Sequence, residues 1–84
     1  MKYHLLYTAR AEKDLSHIEP IIRNRIGNKL LQMSSTPFLY AERLTNPLIG
    51  TYRFRIGDYR VIFDIEGTKI VILRIGHRRE IYRR

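Results

Sequence analysis

Arginines dominate the residues capable of chemistry in the last third of this 84-residue chain. Arg53, Arg55 and Arg60 fall within one short stretch, and Arg78 follows in the tail Gly76-His77-Arg78-Arg79-Glu80-Ile81-Tyr82-Arg83-Arg84. A guanidinium is a planar fork of donors that matches phosphate oxygens and keeps its charge at any physiological pH. A set of them points to anion binding, and above all to phosphate. Histidine is the side-chain type suited to proton transfer near neutral pH, which makes His77 a candidate proton shuttle. Tyr82 can stack on a base or pass a proton. Taken singly, a histidine is more often structural, and a basic tail is often only a solvated end. Competing chemistries lack their residues. His4, His17 and His77 have no metal-ligand spacing. There is no paired-carboxylate motif and no Gly-rich phosphate loop. With no cysteine there is neither a thiolate nor a disulfide. No cofactor is expected.

The formal charge of +8 sits on a chain that is 44% hydrophobic. Such a chain can fold and remain strongly basic, a balance that suits nucleic acid or an acidic protein as partner. The charge is uneven. Residues 51–84 hold nine Lys/Arg against four Asp/Glu, and residues 1–49 hold seven against four. The length predicts one domain over 1–84, with a modest core. No apolar run approaches the roughly 18 residues of a membrane span. The start, Met1-Lys2-Tyr3-His4, lacks the apolar segment of a signal peptide. The expectation is a cytoplasmic protein with no membrane partner.

The elements that must position these groups are legible in outline. Residues 3–7 are rich in Tyr and Leu and predict a short strand, with Thr8 as a helix N-cap. Ala11, Leu15 and Ile18 recur at helical spacing. Pro20 ends that helix and opens the next. Ile22, Ile26, Leu30 and Met33 carry the second helix to about Ser34, and residues 34–37 form a stop and loop. Residues 38–50 show no clean period; Asn46-Pro47 and Gly50 mark turns. Three β-rich runs follow, at 51–56, 59–65 and 68–75, separated by Gly57-Asp58 and Glu66-Gly67. The order β-α-α-β-β-β predicts an α+β domain, an antiparallel sheet with both N-terminal helices on one face.

A two-residue loop at Gly57-Asp58 sets Ile56 opposite Tyr59, Phe54 opposite Val61 and Tyr52 opposite Phe63, all on a buried face. The other face then carries Arg55 opposite Arg60 and Arg53 opposite Ile62. Like charges directly opposite are destabilising, and an anion between them would relieve the repulsion. The hairpin alone leaves two readings open: arginines splayed into solvent, or an anion site. Counting on from Glu66-Gly67 pairs Asp64 with Lys69, Ile62 with Val71 and Arg60 with Leu73, and puts Ile75 on that same face. A mixed basic and apolar face suits a nucleotide. A slip of one residue would invert the argument.

The stretch Tyr52-Arg53-Phe54-Arg55-Ile56-Gly57-Asp58-Tyr59-Arg60-Val61-Ile62-Phe63, followed by Ile75-Gly76-His77-Arg78-Arg79-Glu80-Ile81-Tyr82, resembles the RelE/ParE superfamily of type II toxins. With the two helices and Ala41-Glu42-Arg43-Leu44 before it, the resemblance covers nearly the whole chain. It implies a RelE-like fold with a concave basic cleft, and an antitoxin that wraps the toxin and usually binds their shared operator. The RelE branch implies cleavage of mRNA in the ribosomal A site. There the 2′-OH attacks the adjacent phosphate, leaving a cyclic 2′,3′-phosphate and a free 5′-OH.

By the same resemblance, Arg53 and Arg55 stand at two basic positions that are Lys in other members. Arg60 matches a phosphate-binding Arg just after the turn. Arg78 matches an Arg that stabilises the transition state, and Tyr82 a Tyr that stacks on a base. His77 takes a place held by Lys or His. Glu42 matches a Glu that a related branch carries just before the hairpin. Arg cannot act as a base where Lys can. Arg53 and Arg55 are therefore expected to act electrostatically, a role worth about 2.7–4 kcal/mol for one well-placed donor. Proton transfer falls first to His77 and then to Tyr82. A ParE-like gyrase poison shares the fold but lacks the ribonuclease set, so Tyr82 and the basic strand speak against it. A non-catalytic RNA-binding or decayed toxin stays open.

Overall fold

The computed structural model describes residues 3–45 and 49–82. β1 (His4–Tyr7) leads into α1 (Ala9–Ser16) through Thr8, whose side-chain oxygen accepts the Ala11 N–H at 3.1 Å. The same hydroxyl donates to the Leu73 carbonyl, and the Thr8 N–H reaches Ile72 O. One residue thus caps a helix and ties it to the sheet. α2 (Pro20–Met33) opens on its proline and buries Ile26, Leu30 and Met33. α3 (Pro37–Tyr40) and β2 (Glu42–Arg43) fall in the stretch without a period. A single helical turn and a two-residue strand are too short to show one. The Asn46-Pro47 turn signal lies outside the described residues.

β3 (Tyr52–Ile56), β4 (Tyr59–Glu66) and β5 (Lys69–His77) form the expected meander. The strand order is β1-β5-β4-β3-β2. The chain crosses from β1 to the far edge through the helices and returns strand by strand, so β5 arrives beside β1 running parallel to it. The sheet is therefore antiparallel except at that edge. The core lies between the sheet and the helices, with Phe54, Val61, Phe63, Ile70, Ile72 and Ile75 facing Ala11, Ile26 and Leu30. Phe54 and Phe63 stack at 4.2 Å between centroids.

The β3–β4 register is as expected, from Ile56↔Tyr59 to Tyr52↔Phe63. The β4–β5 register is not. Its turn is Gly67-Thr68, with Gly67 at φ 62°, so Glu66 pairs with Lys69 and Asp64 with Val71. Leu73 is then an extra residue: Phe63 pairs with Ile72, but Ile62 pairs with Arg74. A bulge inverts the alternation beyond it. Val71 keeps its expected face, whereas Ile75, expected beside the arginines, pairs with Val61 and lies in the core. Gly76, not Leu73, stands opposite Arg60.

Candidate nucleic-acid interface

The helix-free face of β3 and β4 carries Arg53, Arg55 and Arg60, as the hairpin register requires. Their mutual repulsion is relieved from inside the molecule. β2 places Glu42 opposite Arg53, and its Oε1 accepts from Arg53 Nε at 3.0 Å and from Arg55 Nε at 2.6 Å. The hydrogen bonds from Arg55 and then Arg53 hold the Glu42 carboxyl below the ordinary carboxylate range. Arg60 turns the other way and is buried; its Nη1 donates to the carbonyls of Gly57 and Tyr59, both at 3.0 Å.

The tail folds back onto this face. A Cβ on Gly76 would press on the Ile81 side chain, which is itself buried. Tyr82 follows and accepts a hydrogen bond from Arg53 Nη1 at 2.8 Å. That bond heads the influences that raise the Arg53 pKa above its ordinary value, and Glu42 adds to it against burial. Arg78 sits at the end of the sheet. Its N–H donates to Asp58 O at 2.7 Å, and its Nε lies 3.7 Å from the Asp58 carboxylate. Both side chains are exposed, so the pair binds weakly and Arg78 can exchange Asp58 for another anion. Arg60 and Arg78 are thus both moored to the Gly57-Asp58 turn.

Among the sequence candidates, Arg53, Arg55 and Tyr82 are linked through hydrogen bonds, with Glu42 as the shared acceptor. His77 is not among them. It pairs with Tyr59, and the two rings meet edge to face at 5.5 Å. Tyr59 packs against the core, so His77 stands on the helix face, with the sheet between it and the arginines. The bulge at Leu73 is the reason, since an unbroken alternation would have carried His77 to the arginine face. Glu42, indicated before only by resemblance, is the acidic group of the cluster. The signal for it is faint because β2 spans two residues.

Two guanidiniums, a carboxylate kept ionised and a phenol on one open face, with the exposed Arg78 at its end, can bind a phosphodiester and stabilise added charge on it. Among the described residues, no three His, Cys, Asp or Glu side chains converge as a metal ion would require. No helix among them is long and apolar enough to cross a membrane.

Comparison with known proteins agrees with this geometry. The family model described as "ParE toxin of type II toxin-antitoxin system, parDE" matches residues 5–82. The chain is 36% identical to Toxin RelG of Mycobacterium tuberculosis, over the full length of both. It superposes with a TM-score of 0.84 on a chain of the RelBE2 toxin–antitoxin complex of M. tuberculosis, at 30% identity over 92% of each chain. A chain of the RelB–RelE antitoxin–toxin complex of Methanococcus jannaschii superposes at 0.73, with 26% identity over 93% of this chain and 95% of that one. The chain therefore belongs to the RelE/ParE family and is a RelE-like toxin of a type II toxin–antitoxin system.

Proposed function

We propose that this toxin is a cytoplasmic endoribonuclease that cuts mRNA in the ribosomal A site and is held in check by a cognate antitoxin. The observation that carries the reading is the convergence of Arg53, Arg55, Glu42 and Tyr82 on one open face, with Arg60 and Arg78 at its turn. The RNA 2′ oxygen attacks the adjacent phosphorus, the P–O5′ bond breaks, and the products are a cyclic 2′,3′-phosphate and a 5′-OH. Arg53, Arg55 and Arg78 stabilise the pentacoordinate phosphate, and Arg60 shapes the turn beside it. Glu42, ionised and already among the arginines, takes the 2′-OH proton. Tyr82 accepts its hydrogen bond from Arg53, so its own proton is free to go to the leaving 5′ oxygen, and its ring is free to stack on a base.

Primer extension on mRNA from a translating extract, beside an Arg78→Ala control, tests this. New cuts within codons at the A site that vanish in the control support the reading; uncut mRNA and unaffected translation would sink it. The family model is named for the ParE branch, which favours gyrase as a second target class. Loss of DNA supercoiling by gyrase, with mRNA intact, would establish that reading instead.

A further inference from the structure

At the open end of β5, between α1 and the tail, lies a cavity of about 350 Å³ that Arg53, Arg55 and Arg78 do not line. Ile18, Ile75 and Ile81 line it with apolar side chains, and the aromatic residues His17, Tyr59 and His77 line it as well. β1 stops pairing with β5 at Ile72, so among the described residues no strand lies beside the outer edge of β5 beyond that point. Of the backbone groups on that edge, the Ile75 N–H is taken by Asp14 at 3.0 Å and the His77 carbonyl by the Glu80 and Ile81 N–H groups. Alternation points the Ile75 carbonyl and the His77 N–H the same way, one acceptor and one donor at the cavity.

We infer that this cavity is a second nucleotide subsite, which takes a base flanking the cleaved bond; the inference rests on the ribonuclease reading. A base has apolar faces and an edge of paired donors and acceptors, and the cavity offers a match for each. The open edge is bounded by Asp14 on one side and by the turn after His77 on the other, too short for a peptide strand. Arg74 lines the cavity too but is held by Asp14 at 2.8 Å, and the Glu80 carboxylate would repel a phosphate, so the phosphates stay with the arginines of the open face. The two sites adjoin. His77 follows Gly76, the partner of Arg60, and Arg78 stands at the sheet end between the two faces. An RNA strand held by its phosphates on the arginine face passes Arg78 and turns its next base into the cavity.

Amide NMR of the purified chain, titrated with the four nucleoside 5′-monophosphates and with ribose 5-phosphate, tests the subsite. Nucleotides are expected to shift Gly76, His77 and His17 as well as Arg53 and Arg55, and ribose 5-phosphate to shift only the arginine face. His17→Ala is expected to weaken nucleotide binding at least about fivefold, the low end for loss of one stacking surface, and to leave ribose 5-phosphate unchanged. Identical shifts from both probes, confined to the arginine face, would overturn the subsite and spare the ribonuclease reading. No response on either face would overturn both. A cavity that answers to a capped dipeptide and to no nucleotide would assign it to a protein partner, against the inference.

Discussion

Asp14 is the residue whose loss tests most directly how the tail is held. Its Oδ2 accepts from Arg74 Nε at 2.8 Å and from the Ile75 N–H at 3.0 Å, and its Oδ1 lies 3.5 Å from Arg10. The carboxylate thereby pins β5 just past the bulge, where the strand runs on to Arg78 and Tyr82. Its side chain is 13% exposed. Hydrogen bonds to charged groups contribute about 1.5–3 kcal/mol each, and the partial exposure of Arg74 sets its share at the low end. Asp14→Ala should therefore cost about 3 kcal/mol. That is a large part of the roughly 4–13 kcal/mol available to a chain of this size, and corresponds to a fall in Tm of about 12–24 °C. Asp14→Asn keeps an acceptor for the Ile75 N–H and loses the charge, so it should cost about half as much.

The pH dependence of the same contact has a definite sign. Burial pushes the Asp14 carboxyl up. The hydrogen bonds from Arg74 and Ile75, with the charges of Arg74 and Arg10, outweigh burial and hold it below its ordinary value. A carboxylate lowered in the folded state stabilises fully above its unfolded pKa, about 3.9. That contribution is lost as pH falls through the folded value. The gap between the parent chain and Asp14→Asn should thus be full at pH 7 and smaller at about pH 3, below the unfolded value. Urea unfolding at both pH values measures it. A cost under about 0.5 kcal/mol for Asp14→Ala, within the usual range of a surface substitution, would refute the assignment. So would an Asn variant as unstable as the Ala variant.

Three further outcomes are expected. Glu42→Gln should slow RNA cleavage by about 100-fold or more, the usual scale for loss of a general base; because Glu42 is held ionised below the ordinary range, the parent rate should stay flat from pH 8 to pH 5, and an unimpaired Gln variant would remove Glu42 from proton transfer. His77→Gln should keep the parent rate at saturating RNA and the parent pH profile, since the sheet separates it from the arginines; a slower rate with an altered profile would restore His77 as the proton shuttle. Gly50→Ala should destabilise by about 1–3 kcal/mol in a thermal melt, because Gly50 has φ 149° and a Cβ there would overlap Ile62; an unchanged Tm would contradict that close approach.

Much of this protein is determined by local sequence. The N-cap at Thr8, the proline that opens α2 and the two-residue turn at Gly57-Asp58 follow from residues within a few positions of one another. So does the grouping of Arg53, Arg55 and Arg60, because a two-residue turn leaves one register and the pleat has a period of two. What the sequence could not decide depends on contacts far apart along the chain. The Leu73 bulge has no local marker, yet it sends Ile75 to the core and His77 to the helix face. Glu42 lies 11 residues from Arg53 and 13 from Arg55, across a stretch without a period, and only the β2–β3 pairing brings them together. Tyr82 reaches Arg53 across 29 residues because Ile81 packs over Gly76. Alternation and turn chemistry are encoded by neighbours; a bulge, an edge strand and a folded-back tail are settled by packing, which only the assembled sheet supplies.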